Sequence, residues 1–184
     1  MQAVILAAGE GVRMRPLTSE RPKPLILIAG RPLLEHIIDA LPRAVNEIIL
    51  IIGYKGDMIR NHFGEEYDGR RIRYARQWMP AGTAHALSMA EPLLNDERFL
   101  LMNGDDIHGR EAFEKAFTYP LAILAATHPE PSKFGVIELH KNGTLASIIE
   151  KPVAPPTNLI STGAMILDKR IFDYEAIRHE NGEY

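Results

Sequence analysis

Hydrophobic positions recur along the chain with two different periods, and each period predicts one type of secondary structure. Apolar residues spaced three or four positions apart predict a helix over residues 32–41, and further helices are predicted over residues 55–62, 82–93 and 110–117. Short apolar runs that stop at glycine or polar residues predict strands over residues 2–6, 47–52, 71–75, 98–102 and 121–126. Strand and helix therefore alternate through the first part of the chain.

After Phe134 the pattern changes to shorter strands, predicted over residues 135–139, 145–149 and 160–167. They surround a Lys141-Asn142-Gly143 turn and a proline-rich loop. The alternation of strand and helix predicts an α/β fold with a doubly wound, mostly parallel, Rossmann-like sheet. The later strands predict a small mixed-sheet lobe that closes over one side. We expect the core to comprise residues 1–130 and the lobe residues 131–184.

The composition is that of a globular protein and excludes several functional classes. Hydrophobic residues make up 46% of the 184 residues, and there is no cysteine, which rules out disulfides and cysteine-based zinc sites. The apolar runs are too short to cross a bilayer, and the N-terminus shows no signal peptide. We therefore expect a cytoplasmic location and no membrane partner. A net charge of −3 argues against a nucleic-acid partner.

One basic cluster departs from this balance and consists of Arg70, Arg71, Arg73 and Arg76. It is either a phosphate-binding stripe or a solvated strand edge. No aromatic stacking platform accompanies the cluster, so we favour the solvated edge.

Polar clusters follow four of the predicted strands, at residues 9–23, 77–84, 103–106 and 150–151. In open α/β sheets, ligands bind at the carboxyl ends of the strands. The sequence therefore predicts that these four clusters converge on one binding site.

The first cluster is a glycine loop, Gly9-Glu10-Gly11-Val12-Arg13-Met14-Arg15-Pro16-Leu17-Thr18, followed by Arg21-Pro22-Lys23-Pro24-Leu25. Glycine lets the backbone N–H groups turn toward an anion, and the arginines and Lys23 add positive charge, as binding of a triphosphate requires. The loop is neither a dinucleotide fingerprint, because Met14 stands where a third glycine is needed, nor a Walker loop, because Gly-Lys-Ser/Thr is absent.

These two adjoining blocks closely resemble the signature of the sugar-1-phosphate nucleotidylyltransferases, such as the glucose-1-phosphate thymidylyl- and uridylyltransferases. The resemblance implies an enzyme that joins a sugar 1-phosphate to the nucleotidyl group of an NTP and releases pyrophosphate, with Mg²⁺ as cofactor. It implies catalytic roles for Arg13, Lys23 and Asp105, and makes Asp105 the metal ligand. Asp106 is expected to be a loop or helix-capping residue, and His108 to be incidental.

The resemblance also implies which residues bind the nucleotide: Ala8, Gly9, Gly11, Arg13, Gln77, Gly82 and Thr83. The Gln77 amide can accept from N3–H and donate to O4 of uracil or thymine, and the Gly82 N–H can reach O2. UTP and dTTP are therefore the favoured donors. We expect Thr83 to cap the following helix, and His85 to be a helix-surface or packing residue.

On the sugar-phosphate side, the resemblance implies binding by Gly135, Glu150, Lys151, Asn158 and Ser161. Glu150 would accept from sugar hydroxyls, and Lys151 would bind the sugar phosphate. Relatives that use N-acetylated sugars tend to carry asparagine at the position of Ser161, which leaves the identity of the sugar open. The core would then bind the nucleotide and the lobe the sugar.

Two other functions stay open at this point. One is a non-catalytic, nucleotide-sugar-binding regulatory subunit of the same fold, and the other is a transferase for an alcohol phosphate such as phosphocholine. Such subunits usually lose the counterparts of Arg13, Lys23 or Asp105, so the presence of all three favours the enzyme. The ending Asn181-Gly182-Glu183-Tyr184 resembles the family stretch just before a second metal-binding aspartate, so we expect either that the chain is truncated or that the protein lacks this ligand. The choice between UTP and dTTP and the formation of a homo-oligomer also stay open.

Overall fold

The computed structural model describes residues 1–177, within which nine strands form one large sheet and two strands form a hairpin. In chain order the strands are β1 (Gln2–Ala7), β2 (Leu27–Ile28), β3 (Arg31–Pro32), β4 (Glu47–Ile52), β5 (Glu66–Tyr67), β6 (Arg70–Arg76), β7 (Arg98–Asn103), β8 (Ala122–Thr127), β9 (Gly135–Leu139), β10 (Leu145–Glu150) and β11 (Leu159–Asp168). The helices are α1 (Leu17–Glu20), α2 (Leu33–Ala40), α3 (Gly56–Phe63), α4 (Thr83–Ser88) and α5 (Arg110–Phe117).

The large sheet has the strand order β10-β9-β11-β7-β1-β4-β6-β5, with β8 paired to β11. Its centre is parallel: β1 pairs with β4 and β7, and β4 pairs with β6. Strands buried on both faces read as continuous apolar runs, which is why the sequence of β1 and β4 does not alternate. Because β1, β4, β6 and β7 are parallel, their carboxyl ends lie along the same edge of the sheet.

Helices cover both faces of the parallel strands. Ile5 of β1 packs in the core formed with α2, α3 and α5, whereas its neighbour Val4 packs with α4 on the opposite face. Both side chains are fully buried, because successive residues of a strand point to opposite sides. This arrangement confirms the predicted α/β, doubly wound, Rossmann-like fold.

The strands after residue 121 extend the same sheet in antiparallel fashion. The second half of β11 pairs with β7, so that Ala164 lies opposite Met102, while Ile160 in its first half pairs with Val136 of β9. Strand β11 also pairs with β8, with a shift of register between Ser161 and Met165. Through its two halves, β11 joins the parallel centre to the β9–β10 hairpin. The predicted boundary near residue 130 stays a prediction.

Two expectations about local structure are wrong. The helix predicted over residues 82–93 ends at Ser88 and is followed by a 3₁₀ turn, Glu91–Leu93. Pro92 lacks a backbone N–H and disfavours helical geometry at the residue before it. Arg70 does not lie on a solvated edge, because the two-residue strand β5 covers β6, and the buried Arg70 guanidinium donates to the Val45 and Leu41 carbonyls.

The sequence pattern also missed short elements around the glycine loop, namely the 3₁₀ turns Val12–Met14 and Lys23–Leu25, helix α1 and the β2–β3 hairpin. Each is too short to show a period. Within residues 1–177, none of the helices has the length and apolar character needed to cross a bilayer. The terminal segment Asn181-Gly182-Glu183-Tyr184 lies outside the described residues.

Candidate active site

The glycine loop after β1 is held in shape by a small set of contacts. Gly11 has a φ of 66°, which favours glycine, and a Cβ there would lie 3.0 Å from the Thr18 Cγ2. The buried Thr18 hydroxyl donates to the Gly11 carbonyl at 3.0 Å. Gly9 has open space where a side chain would stand. The loop is therefore fixed at Gly11 and open to a ligand at Gly9.

Lys23 and Asp105 form an ion pair at the carboxyl edge of the sheet. Lys23 begins the 3₁₀ turn that is anchored by the buried Pro24 and Leu25. Asp105 follows Gly104, whose N–H donates to the Leu6 carbonyl at 2.9 Å. A Cβ on Gly104 would approach that same oxygen to 2.9 Å, so a glycine is needed for Asp105 to emerge beside β1.

The surroundings of Asp105 limit the kind of metal ion that this residue could bind. Among residues 1–177 there is no group of three or more His, Cys, Asp or Glu side chains that could enclose an ion. The Asp105 side chain is 40% exposed, and Lys23 is its only side-chain partner among the described residues. A single accessible carboxylate suits a hard ion whose other ligands are water and substrate phosphates, which is how Mg²⁺ binds in nucleotide sites.

A smaller cavity of about 260 Å³ opens where β1, β4 and β6 end. It is lined by Ala8, Gly53, Gln77 and Trp78, among others. The Tyr54 N–H donates to the Ala8 carbonyl at 3.1 Å, and a Cβ on Gly53 would lie only 2.6 Å from that oxygen. The close approach of the two strand ends therefore requires Gly53, a residue to which the sequence analysis assigned no role in the site.

Gln77 is 9% exposed and borders this cavity. Its Nε2 lies 3.0 Å from the Gly82 carbonyl oxygen and 3.0 Å from the His85 Nδ1. His85 is therefore a half-buried residue of α4 that also forms a hydrogen bond with Gln77, a contact that the sequence did not predict. The amide gives its hydrogens to these two partners, so the expected donation from Gln77 to O4 of a base is not available in this arrangement.

Thr83 does not cap α4, contrary to the expectation. The N-cap is Gly82, which has a φ of 92° and makes no side-chain capping bond, and Thr83 is the first residue of the helix. A tight turn with positive φ needs glycine at this position. Thr83 instead borders the larger cavity described next.

The larger cavity, of about 770 Å³, brings together residues from distant parts of the chain. From the glycine loop and from α4 it receives Arg13 and Thr83. From β9, β10 and β11 it receives the residues predicted to bind the sugar phosphate, which are Gly135, Glu150, Lys151 and Ser161. Two of the predicted nucleotide residues thus meet four of the predicted sugar-phosphate residues around one cavity. Ala8 and Gln77 line the smaller cavity instead, and the predicted nucleotide and catalytic residues that line neither cavity are Gly9, Gly11, Lys23, Gly82 and Asp105. Asn158 is exposed before β11, outside the lining of both cavities, and its role stays a prediction.

Glu150 and Lys151 are held mainly by each other. The Lys151 Nζ donates to the Glu150 Oε1 at 2.6 Å, and the two side chains are 60% and 64% exposed. Lys151 has a φ of 43°, which is rare for a residue other than glycine and is a form of strain that often marks functional sites. Its N–H is anchored to the Phe134 carbonyl at 3.0 Å.

The Asn103–Gly163 junction joins β7 to β11 and was not predicted. Gly163 has a φ of 74°, and a Cβ there would overlap the Asn103 Nδ2. The Asn103 amide donates to the Asp106 Oδ2 at 3.3 Å. Asp106 is therefore a loop residue as expected, but it does not cap α5, whose N-cap is Gly109. Burial lowers the pKa of His108, whose ring packs near Phe113. His108 also lines the larger cavity, and its incidental role stays a prediction.

The family of the chain follows from comparison with known proteins. The model of the nucleotidyl transferase family matches residues 2–183, and the chain belongs to this family. A relative from Haloferax volcanii named UTP–glucose-1-phosphate uridylyltransferase AglF is 37% identical over 180 residues, which cover 94% of this chain and 74% of the relative.

Two further comparisons show how much of the related proteins this chain covers. The Bifunctional protein GlmU of Methanocaldococcus jannaschii is 39% identical over 173 residues, covering 94% of this chain but 41% of that protein. The chain thus spans less than half the length of the GlmU relatives it matches. A solved structure of a UDP-glucose pyrophosphorylase with UDP-glucose aligns with a TM-score of 0.83 at 23% identity, over 99% of this chain and 82% of that one, and so shows the same fold.

Proposed function

We propose that the protein is a sugar-1-phosphate nucleotidylyltransferase, which joins a sugar 1-phosphate to the nucleotidyl group of an NTP and releases pyrophosphate. The observation that carries the proposal is the larger cavity, because Arg13 from the glycine loop and Lys151 from the end of β10 line the same space. Two phosphate-bearing substrates that react with each other need cationic groups on both sides of such a space. In this proposal residues 1–130 bind the nucleotide and residues 131–184 the sugar phosphate.

The chemistry depends on position and charge. The attacking group is a phosphate that is already anionic near neutral pH, so no general base is required. The obstacle is the repulsion between this phosphate and the triphosphate, and fixed cations with correct alignment remove it. In this proposal Lys23 neutralises the region of the α-phosphate, Lys151 holds the attacking phosphate, and Arg13 stabilises the departing pyrophosphate.

The cofactor in this proposal is Mg²⁺, with Asp105 as its protein ligand. The ion would supply further neutralisation of the phosphate oxygens. Before substrate binds, Asp105 and Lys23 neutralise each other. A triphosphate offers Lys23 a stronger anionic partner and thereby frees the Asp105 carboxylate.

For the base we propose uracil or thymine. The Gln77 carbonyl oxygen receives no hydrogen bond from the described residues, while its NH₂ group is bonded to Gly82 and His85. That oxygen can accept from N3–H, which uracil and thymine carry and cytosine lacks. The NTP and the sugar 1-phosphate are the partners in this proposal, and a cytoplasmic location without nucleic-acid or membrane partners belongs to it.

The proposal is tested by measuring pyrophosphate release from a grid of UTP, dTTP, CTP, GTP and ATP against several sugar 1-phosphates, with phosphocholine as a non-sugar acceptor. We expect turnover with a sugar 1-phosphate and UTP or dTTP, and its loss when EDTA removes the metal. Lys23→Ala tests the site, and Lys141→Ala, in the exposed turn between β9 and β10, is the matched control. Nucleotide-sugar binding without turnover in any combination would contradict the enzyme and support a binding subunit.

A further inference from the structure

The surroundings of the Gln77 amide determine which of its two ends faces the cavity. The Gly82 carbonyl oxygen, 3.0 Å from the Gln77 Nε2, can only accept a hydrogen bond. A rotated amide would place the Gln77 Oε1 against this oxygen with no hydrogen between them. The NH₂ group therefore points to Gly82, and the carbonyl oxygen is the end left for a ligand.

His85 accepts the second hydrogen of the Gln77 NH₂ group. Because the Gln77 Nε2 is a donor, the His85 Nδ1, 3.0 Å away, is the acceptor in this contact, and the ring proton lies on Nε2. The ring stands on α4, whose neighbouring residues Ala86 and Leu87 are buried in the core. The Ser88 hydroxyl also donates to the His85 carbonyl at 2.8 Å. The backbone of α4 thus holds His85 in place, and its ring accepts from the Gln77 amide in this arrangement.

We infer that His85 is a positioning residue for base selection: by accepting from Gln77 Nε2, it prevents rotation of the amide and makes the cavity select bases with a donor at N3. With His85 in place, rotation of the amide breaks two hydrogen bonds, turns Oε1 toward the Gly82 carbonyl oxygen and requires His85 to change its tautomer. Without it, only Gly82 opposes rotation, and the rotated amide would donate to N3 of cytosine. The inference rests on the proposed binding of a nucleotide base in the smaller cavity, and it deepens that proposal.

The test compares His85→Leu, which removes the acceptor, with His85→Asn, whose Oδ1 can take the place of Nδ1. Binding of UTP and CTP is measured by calorimetry in EDTA, and kcat/KM for both nucleotides by pyrophosphate release. We expect the preference for UTP over CTP to fall roughly tenfold in His85→Leu, the equivalent of about one hydrogen bond, and to be retained in His85→Asn. The control is His140→Leu. His140 follows the last residue of β9, at the other end of this strand from Gly135, and the variant should keep the wild-type preference for UTP over CTP.

A purely structural role of His85 would weaken UTP and CTP equally, and a thermal melt reports any loss of fold. In the double variant Gln77→Ala/His85→Leu, we expect no further loss of preference beyond that of Gln77→Ala, because His85 acts through Gln77. The inference is overturned if His85→Leu keeps the full preference, if His85→Asn loses it, or if the wild type binds CTP or a purine nucleotide as tightly as UTP. A protein that shows the expected binding pattern but releases no pyrophosphate would contradict the proposed function and leave this inference standing.

Discussion

Strand β1, which leads into the glycine loop, is buried along nearly its whole length, whereas β10, which leads into Glu150 and Lys151, is exposed at most positions. The ends of the parallel strands are tied to one another by backbone hydrogen bonds, such as Gly104 N–H to the Leu6 carbonyl and Gln77 N–H to the Ile52 carbonyl. At the end of β10, the side chains of Glu150 and Lys151 rely on each other. The nucleotide side is thus preorganised, and the sugar side keeps side-chain freedom.

This difference has a physical origin. A parallel strand in the centre of a sheet has neighbours on both edges and helices on both faces, so the loop that follows it starts from a fixed point. An edge strand has one neighbour and lies partly in water. Side chains that follow a central strand can hold charges in place before substrate arrives. Side chains that follow an edge strand adapt when substrate binds. Substitutions on the two sides should therefore affect different kinetic parameters.

The largest effect is expected on the preorganised side. Asp105→Asn and Lys23→Ala should each lower kcat by about 100-fold or more, because fixed charge at the phosphates is lost. The melting temperature should change little, since the Lys23–Asp105 pair is partly exposed and such pairs contribute little to stability. Steady-state kinetics and a thermal melt check both points, with Lys141→Ala as control. Retention of most activity at an unchanged Mg²⁺ requirement would show that Asp105 is not the metal ligand.

The next effect concerns the Asn103–Gly163 junction, where the two sides meet. Gly163→Ala should lower the free energy of unfolding by roughly 1–3 kcal/mol more than Gly143→Ala, because a Cβ at residue 163 overlaps Asn103. Gly143 also has a positive φ, of 82°, but its surroundings are open. Gly143→Ala therefore introduces similar backbone strain without a steric overlap and serves as the control. Denaturant unfolding measures both variants. Equal losses would mean that the junction relaxes without cost.

A smaller effect is expected on the adaptable side. Lys151→Ala should raise KM for the sugar 1-phosphate about tenfold, because a charge-assisted contact to its phosphate is lost. KM for the NTP should stay within about twofold of the wild type, because the glycine loop and the smaller cavity are not altered. The measurement is a two-substrate kinetic analysis. If KM for both substrates rises equally, Lys151 serves the nucleotide as well, and the contrast between the two sides weakens.

The smallest effect is expected at the base. Gln77→Ala should reduce the ratio of kcat/KM for UTP to that for CTP more than it reduces kcat with UTP, because only the contact that distinguishes the bases is removed. Competition assays with both nucleotides in one mixture give the ratio directly. GTP or ATP as the best donor would contradict the role assigned to Gln77 without affecting that of Lys23.

Local pattern was sufficient to predict the parallel core but not the contacts between its loops. The predicted positions of β1, β4, β6 and β7 are within one residue of those observed, because apolar runs and glycine stops are local signals. Residues 13 and 151 line one cavity as predicted, but the rule for the ends of parallel strands accounts only for residue 13, because β10 runs antiparallel to β1. The pairing of His85 with Gln77, the close fit of Gly163 to Asn103, and the burial of Arg70 depend on tertiary packing, which no sequence period reports. The early end of α4 could have been predicted from Pro92.

The position of β11 in the sheet also bears on how the protein is made. Residues 98–103 form β7, but one edge of this strand is covered only when residues 164–168, much later in the chain, pair with it. During synthesis, an apolar strand with an open edge must therefore wait for some sixty further residues to emerge from the ribosome. Open edges of this kind are sites of aggregation, so the nascent chain is most vulnerable in that interval. Binding by a chaperone would protect this edge, whereas pairing of β1 with the other edge of β7 would leave it open.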